Sequence, residues 1–464
     1  GDFDKAPLPT VADLTHTRYR NARLVRALDY NLFAQEMFTR WVRTMVTAIH
    51  GTGSKQLVNV GQDEGGVTNR VLNQFYAAGG VAFTTNHTYW RDDALLWDSV
   101  VAKRPGMPNI TGETGYQPVW APDGAWRYDE LTGYALTERK WALGFAAGTS
   151  GALNWDWARE VYFGIKRSDG SAKIWQTMMK DMGQFAAKAA PSASGLEAPQ
   201  VAIVLPQSLQ LSVSNETALE AQQKAVRALY HHARAEAYAV GEYQIELLGN
   251  PKLIILPSPL GLARPAWDAI RAKVEAGATL LVSGVFDLDP HFHATGRQKE
   301  VGLAAEAAAL TIREHGLKWP AGQARLVYGG EKTTYLQYAL LPDGASWAER
   351  SAGKGKILYS PLPLELNDNV EAIGEVYRYA LKVASVGRTY STTVEDPGIL
   401  ICPARLPDAT LYVLTSESSI EKAVQFRDER SGKEFSGALD PGRAALLLVG
   451  RSGALLASYN WKTR

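Results

Sequence analysis

The sequence predicts an α/β protein in three consecutive parts: parallel βα units, a second α/β unit of flavodoxin-like type, and a small terminal β-sandwich. Three observations carry this expectation. Between residues 56 and 154 a short apolar strand, a polar or aromatic strand end and a helix recur four times, the pattern of a doubly wound sheet or a (β/α)8 barrel. Between residues 201 and 384 near-continuous apolar strands alternate with amphipathic helices, as in a parallel sheet covered on both faces. From Gly387 the helices stop, and short strands separated by turn residues follow.

The elements follow in chain order. Leu32, Phe33, Phe38, Trp41, Val42, Met45 and Ile49 recur at helical spacing over Asp29–His50, with Asp29 as N-cap and Gly51 as the stop. Strand Gln56–Val60 ends in Gly61-Gln62-Asp63-Glu64, and helix Val67–Ala78 follows. Strand Val81–Thr85 ends in Asn86-His87-Thr88-Tyr89-Trp90, and helix Asp92–Lys103 follows. Strand Pro108–Thr111 ends in Gly112-Glu113-Thr114-Gly115, and helix Asp129–Ala147 follows. Strand Gly151–Asn154 ends in Trp155-Asp156-Trp157, and helix Ile174–Ala190 closes a first domain, expected over residues 1–190. Pro191–Pro199, rich in Pro, Ala and Ser, reads as a linker. A second domain is expected over 200–387, with strands Val201–Leu205, Leu253–Leu256, Thr279–Ser283 and Lys356–Tyr359 and helices Ala218–Ala239, Pro265–Ala276 and Val370–Ala384. The β-sandwich is expected over 388–464, with strands Ile399–Pro403, Ala409–Thr415, Ala423–Asp428 and Ala444–Val449.

Composition narrows the function classes. The 464 residues are 46% hydrophobic and 21% charged, an ordinary globular mix of a length suited to two to four domains. Lys+Arg 49 against Asp+Glu 48 leaves a net charge of +1 and no basic run, which argues against a nucleic-acid partner. No apolar run reaches membrane-spanning length. Gly1–Pro9 has neither the basic nor the apolar region of a secretory signal and reads as a loop, which leaves the cellular compartment open. The 13 Trp and 20 Tyr are the unusual feature, because such rings often face sugar rings in clefts and otherwise fill cores.

Glu113 is the leading candidate for chemistry. Carboxylates at the carboxyl ends of barrel strands point into the mouth where the βα loops converge, although a Glu there can also cap a turn or pair with an Arg. His87 and Tyr89 end the preceding strand and are placed to hold such a carboxylate ionised, with Asn86 beside them as a further substrate-binding candidate. Trp155 ends the following strand and is placed to stack on a pyranose.

The order His-Tyr, Glu-Thr-Gly and a strand-ending Trp resembles barrel strands six to eight of the clan A retaining glycoside hydrolases. The whole layout of barrel, flavodoxin-like domain and small β-domain resembles the family 42 β-galactosidases, with the motifs confined to residues 57–157. The resemblance implies a retaining exo-acting β-glycosidase with Glu113 as nucleophile, His87 and Tyr89 as its neighbours, Trp155 as a stacking residue, and a middle domain that makes homo-oligomer contacts. It also implies that Gln56–Val60 is strand five. The chain then looks like the C-terminal half of a (β/α)8 barrel, starting after strand four. The Asn-Glu pair that bears the acid/base in that clan would lie on a companion polypeptide carrying strands one to four, and the chain alone is expected to be inactive. Glu64 is the internal substitute, since retaining chemistry needs a second carboxylate about 5–5.5 Å away; Asp63 and Glu64 otherwise bind substrate hydroxyls or Arg70.

Other patterns carry less. Asp287, Asp289, His291 and His293 alternate in a loop and are metal-ligand types, yet surface loops often read this way, and no metal is expected. Three Asn-X-Thr sequons, at Asn86, Asn109 and Asn215, are read as chance. No dinucleotide fingerprint follows Val201–Leu205 and Gly51-Thr-Gly-Ser-Lys55 lacks phosphate-loop spacing, so no cofactor is expected. An amidotransferase needs a cysteine at the turn after Thr279–Ser283, where the chain reads Gly284-Val285-Phe286; the one cysteine, Cys402, lies elsewhere. The alternative to a glycosidase is a non-catalytic carbohydrate-binding or assembly protein that keeps the aromatic cleft.

Overall fold

The computed structural model describes residues 8, 22–61, 73–87, 99–114, 129–154, 164–192, 195–212, 215–303, 306–309, 314–329, 337–340, 346–394, 396 and 398–464. Helix α1 is Ala22–Gly51, longer at its start than the periodicity predicts. Asp29 therefore lies inside the helix, where its carboxylate meets His291 Nε2 at 2.9 Å instead of capping. Ala27, Leu28, Val42 and Val46 of α1 are buried, whereas Tyr30, Phe33, Met37, Trp41 and Met45 form an exposed apolar stripe at helical spacing, Trp41 being 53% accessible.

Residues 56–60 are not a regular strand. They still flank the first sheet, because Val58 O accepts from Ala82 N at 2.8 Å and Val60 O from Thr85 Oγ1 at 2.6 Å. That sheet holds β1 (Thr84–His87), β2 (Asn109–Thr114) and β3 (Thr149–Asn154), all parallel and in this spatial order. Helix α2 (Glu130–Ala146) leads into β3; Asp129 caps it by accepting from Thr132 N at 2.7 Å. Helix α3 (Ile174–Ala189) turns Trp175, Met178, Met182 and Phe185 inward.

The second sheet is built from β4 (Val201–Leu205), β5 (Tyr238–Gly241), β6 (Leu253–Leu256) and β7 (Thr279–Ser283). Two antiparallel pairs follow outside it, β8 (Glu306–Ala309) with β11 (Gln337–Leu340), and β9 (Glu314–Trp319) with β10 (Gly322–Val327). The sheet is completed by β12 (Ala348–Ala352) and β13 (Gly355–Ser360), in the order β12-β13-β7-β6-β4-β5, parallel except for β12. The order reverses at β4, as in flavodoxin-like folds. β5 was not expected from the sequence; its first two residues, Tyr238 and Ala239, fall at the end of the helix predicted to run to Ala239. That helix is observed as α4 (Asn215–Arg227), continues as a π-turn over Ala228–Ala233 and ends at Arg234 in the left-handed region, φ 57°. Helices α5 (Arg264–Ala276) and α6 (Val370–Val383) complete the layer. α6 crosses the π-turn so closely that a Cβ on Gly374 would lie 2.2 Å from His232 Cβ.

The chain ends in two facing four-stranded sheets. One contains β14 (Tyr390–Ser391), β17 (Lys422–Asp428), β18 (Glu434–Leu439) and β21 (Lys462–Thr463) in that order, the other β15 (Ile399–Arg405), β16 (Ala409–Ser416), β19 (Ala444–Gly450) and β20 (Leu455–Tyr459). α2 packs on β15, β16 and β19, and α3 on β20. One apolar cluster thus runs from Leu143 and Met178 through Ile203 and Val376 to Leu446. The fully buried Glu138 of α2 reinforces this seam, accepting from Arg443 Nη2 at 2.7 Å, Ala444 N at 3.0 Å and the Tyr459 hydroxyl.

Candidate functional site

The carboxyl ends of β1 and β2 bring two of the expected residues together. His87 is paired in register with Glu113, after a register shift between Asn86 and His87 that re-aims the histidine. Nδ1 of His87 lies 3.6 Å from Oε2 of Glu113, and the side chains are only 21% and 19% exposed. That separation is too long for a hydrogen bond and within ion-pair distance. Glu113 lies near the end of β2 rather than in the loop after it. Two glycines lie beside the pair. A Cβ on Gly112 would lie 3.1 Å from Thr85 Cβ, tighter than usual packing, and one on Gly61 would touch His87 Nε2 at 3.7 Å.

Beneath this pair runs a buried polar ladder across the sheet. Asn109 Nδ2 donates to Asn86 Oδ1 at 2.8 Å and to Thr149 Oγ1 at 3.3 Å, and its Oδ1 accepts from Thr84 Oγ1 at 2.8 Å. Asn86 and Asn109 are 1% and 0% exposed, so the bonds replace hydration that burial removes. Asn86, expected at a sugar, therefore turns its side chain to Asn109. The buried Tyr76 phenol, whose pKa burial raises, accepts from Thr85 N at 3.2 Å and donates to Thr85 O at 3.1 Å, pinning β1 from the helix side. Sequence reasoning passed over Asn109 because Asn-Ile-Thr read as a chance sequon. Asn109 and Thr111, alternate positions of β2, are both buried.

Asp63, Glu64, Tyr89 and Trp155 lie outside the described residues. The Asp287–His293 loop spends its polar groups on itself and on neighbouring elements. Asp289 Oδ1 accepts from His291 N at 2.9 Å and His293 N at 2.8 Å, and Asp287 Oδ1 from Gln298 N at 2.8 Å. Among the described residues no group of three or more metal-ligating side chains occurs. Cys402 is fully buried, and burial raises its thiol well above the ordinary range, the opposite of an activated nucleophile.

No family model matches the chain, and no curated protein matches it. Solved structures do. The β-galactosidase of Bacillus circulans sp. alkalophilus superposes with a TM-score of 0.75 at 13% identity, over 96% of this chain and 71% of that one. Gan42B, a GH42 β-galactosidase from G. stearothermophilus, superposes with a TM-score of 0.71 at 12% identity, over 97% and 71%. The cold-adapted β-galactosidase of Rahnella sp. R3 gives 0.70 at 14%, over 100% and 70%. At such identities the likeness is one of fold, and the fold is that of the GH42 β-galactosidases, a mixed α/β chain in which barrel-type βα units are followed by further domains.

Proposed function

We propose that this protein is a retaining, exo-acting β-glycosidase of β-galactosidase type, with Glu113 as the nucleophile. The observation that supports it most is the Glu113 carboxylate at the carboxyl end of a parallel strand, 3.6 Å from His87. In the first step a carboxyl oxygen of Glu113 attacks the anomeric carbon while the acid/base carboxylic acid protonates the departing glycosidic oxygen. In the second step water, losing its proton to that same residue, attacks the anomeric carbon and frees Glu113, so configuration is retained. His87 stands beside Glu113 at the strand ends, and Tyr89, Trp155 and Asp63 bind the sugar.

The acid/base is assigned to an Asn-Glu pair on a companion segment carrying barrel strands one to four, with Glu64 as the internal substitute. Two features support the companion. Among the described residues of the βα part, five carboxylates are engaged away from Glu113: Asp29 with His291, Asp129 at its cap, Glu130 with Arg167, Glu138 with Arg443 and Asp169 with Ser171. The apolar stripe of α1 is a surface that a neighbouring barrel helix would cover. We assign residues 1–190 to the barrel half, 200–387 to an oligomer-forming flavodoxin-like domain and 388–464 to the β-sandwich.

The test is labelling with a 2-deoxy-2-fluoro-β-galactoside followed by peptide mass analysis of the active preparation. Adduct on the Glu113 peptide, and its loss in Glu113→Gln, is the expected result. Adduct at Glu64 overturns the assignment. Saturable galactoside binding with no turnover in the presence of the companion replaces the glycosidase with a sugar-binding protein.

A further inference from the structure

Where the three parts of the chain meet, they enclose a cavity of about 150 Å³ lined by Val100, Lys103, Ala146, Leu196, Glu236 and Arg405 among others. It lies apart from the Glu113–His87 pair, whose residues do not line it. Most charges at its wall are matched within the protein. Arg405 stands 3.6 Å from the Glu236 carboxylate and donates to Thr389 Oγ1 at 2.8 Å, and Glu197 is held by Arg430 at 2.7 Å. The Tyr230 hydroxyl is used twice, donating to Ala237 O and accepting from Ala237 N.

Lys103 is the exception. Its ammonium donates to Gly148 O at 3.1 Å, and among the described residues no carboxylate stands within ion-pair distance. Burial lowers its pKa below the usual lysine range, which marks a charge poorly served by water. An ammonium carries three donors, and one carbonyl occupies only one of them. Around it the wall is apolar: Val100, Ala146, Leu196 and Pro403.

We propose that this cavity binds a short-chain monocarboxylate, with the carboxylate on Lys103 Nζ and the hydrocarbon tail against Val100, Ala146 and Leu196. One negative charge matches the single unmatched ammonium. A doubly charged oxyanion would carry its second charge toward Glu236 and Glu197, and a halide would leave the apolar wall uncovered. Because all three parts of the chain supply wall residues, an occupant ties them together and stabilises the folded chain by linkage.

Butyrate is the probe, titrated into the full chain at constant ionic strength and followed by ligand-observed NMR and thermal melting. The expected result is saturable binding with a rise in melting temperature. Lys103→Met, which keeps the apolar stem, weakens binding at least about tenfold, and Lys103→Arg retains it, as a charge-assisted contact requires. Butyramide, the uncharged analogue, does not compete; this arm uses the native protein and decides the matter even if Lys103→Met fails to fold. Absence of saturable butyrate binding up to about 50 mM, well above a millimolar constant, overturns the proposal. So does equal binding by butyramide, by inorganic phosphate or by folded Lys103→Met.

Discussion

Strands β4, β6 and β7 bury aliphatic side chains at nearly every position, whereas β1 and β2 bury Thr84, Thr85, Asn86, Asn109 and Thr111. Both sheets are parallel and both are packed against helices. In the first case the strands gain only from removing apolar surface from water. In the second, buried polar residues need hydrogen-bond partners: the ladder centred on Asn109 serves Thr84, Asn86 and Thr149, and Thr85 bonds Val60 O. The lesson is that a strand interior filled with polar groups is tolerated where one end of the sheet holds reactive side chains. Stability is supplied by the other sheet and by the seams between them.

This contrast can be broken at one side at a time. The largest effect is expected in activity: Glu113→Gln lowers kcat/KM by about 10⁴-fold or more, the scale of losing a nucleophile, while the urea midpoint stays within error. A matching fall in stability would move Glu113 to the structural side of the comparison. Next comes the seam. Glu138→Ala strands Arg443, Tyr459 and Ala444 N, and because Arg443 is one-quarter exposed the low end of the range for breaking a buried pair applies, about 3 kcal/mol by urea unfolding. A loss below about 1 kcal/mol would show that the apolar cluster alone holds the seam.

A smaller effect sharpens the ladder. Asn109→Ala leaves Asn86 and Thr84 without their partner and costs about 1–3 kcal/mol. If Asn109 positions the strand ends, kcat falls more than KM rises; a pure stability loss with unchanged kinetics would make the ladder scaffolding only. The smallest effect lies at one of the buried acids beside the second sheet. Glu365 accepts from Ser258 at 2.8 Å and Tyr377 at 2.9 Å, and burial raises its pKa. The folded chain therefore holds this proton more tightly than the unfolded one. The stability so gained is complete below the ordinary glutamate range, about 4.3, and is lost as pH rises through the raised value. Glu365→Gln is neutral throughout, so its stability relative to the parent should grow between pH 5 and 8. A difference that stays flat over that range would remove the coupling.

How much of this was legible depends on how local the cause is. The apolar runs of β4, β6, β7, β15, β16 and β19 are read directly, because strands covered on both faces leave no room for polar residues. β5, Tyr-Ala-Val-Gly, is too short to stand out behind a helix that ends in a π-turn. Asp29 imitates an N-cap because its actual partner, His291, is remote in sequence. In the candidate site, Glu113 and His87 were singled out because each stands at the end of a predicted strand, and the structure brings them together. Asn109 was not, since its meaning comes from Asn86 and Thr149 on neighbouring strands, and pairing across strands has no signature in one stretch of sequence.

Gly374 has a consequence for how this fold can vary. With room for no more than a hydrogen atom between α6 and His232, the position acts as a gauge block for the spacing of two helices. One added methyl would be a wedge driven in far from Glu113, loosening the helical layer behind the second sheet without touching the pair on the first. Any side chain at this position would meet His232, and the same narrowness makes it a handle. A conditional lesion placed there separates assembly from chemistry in a single chain.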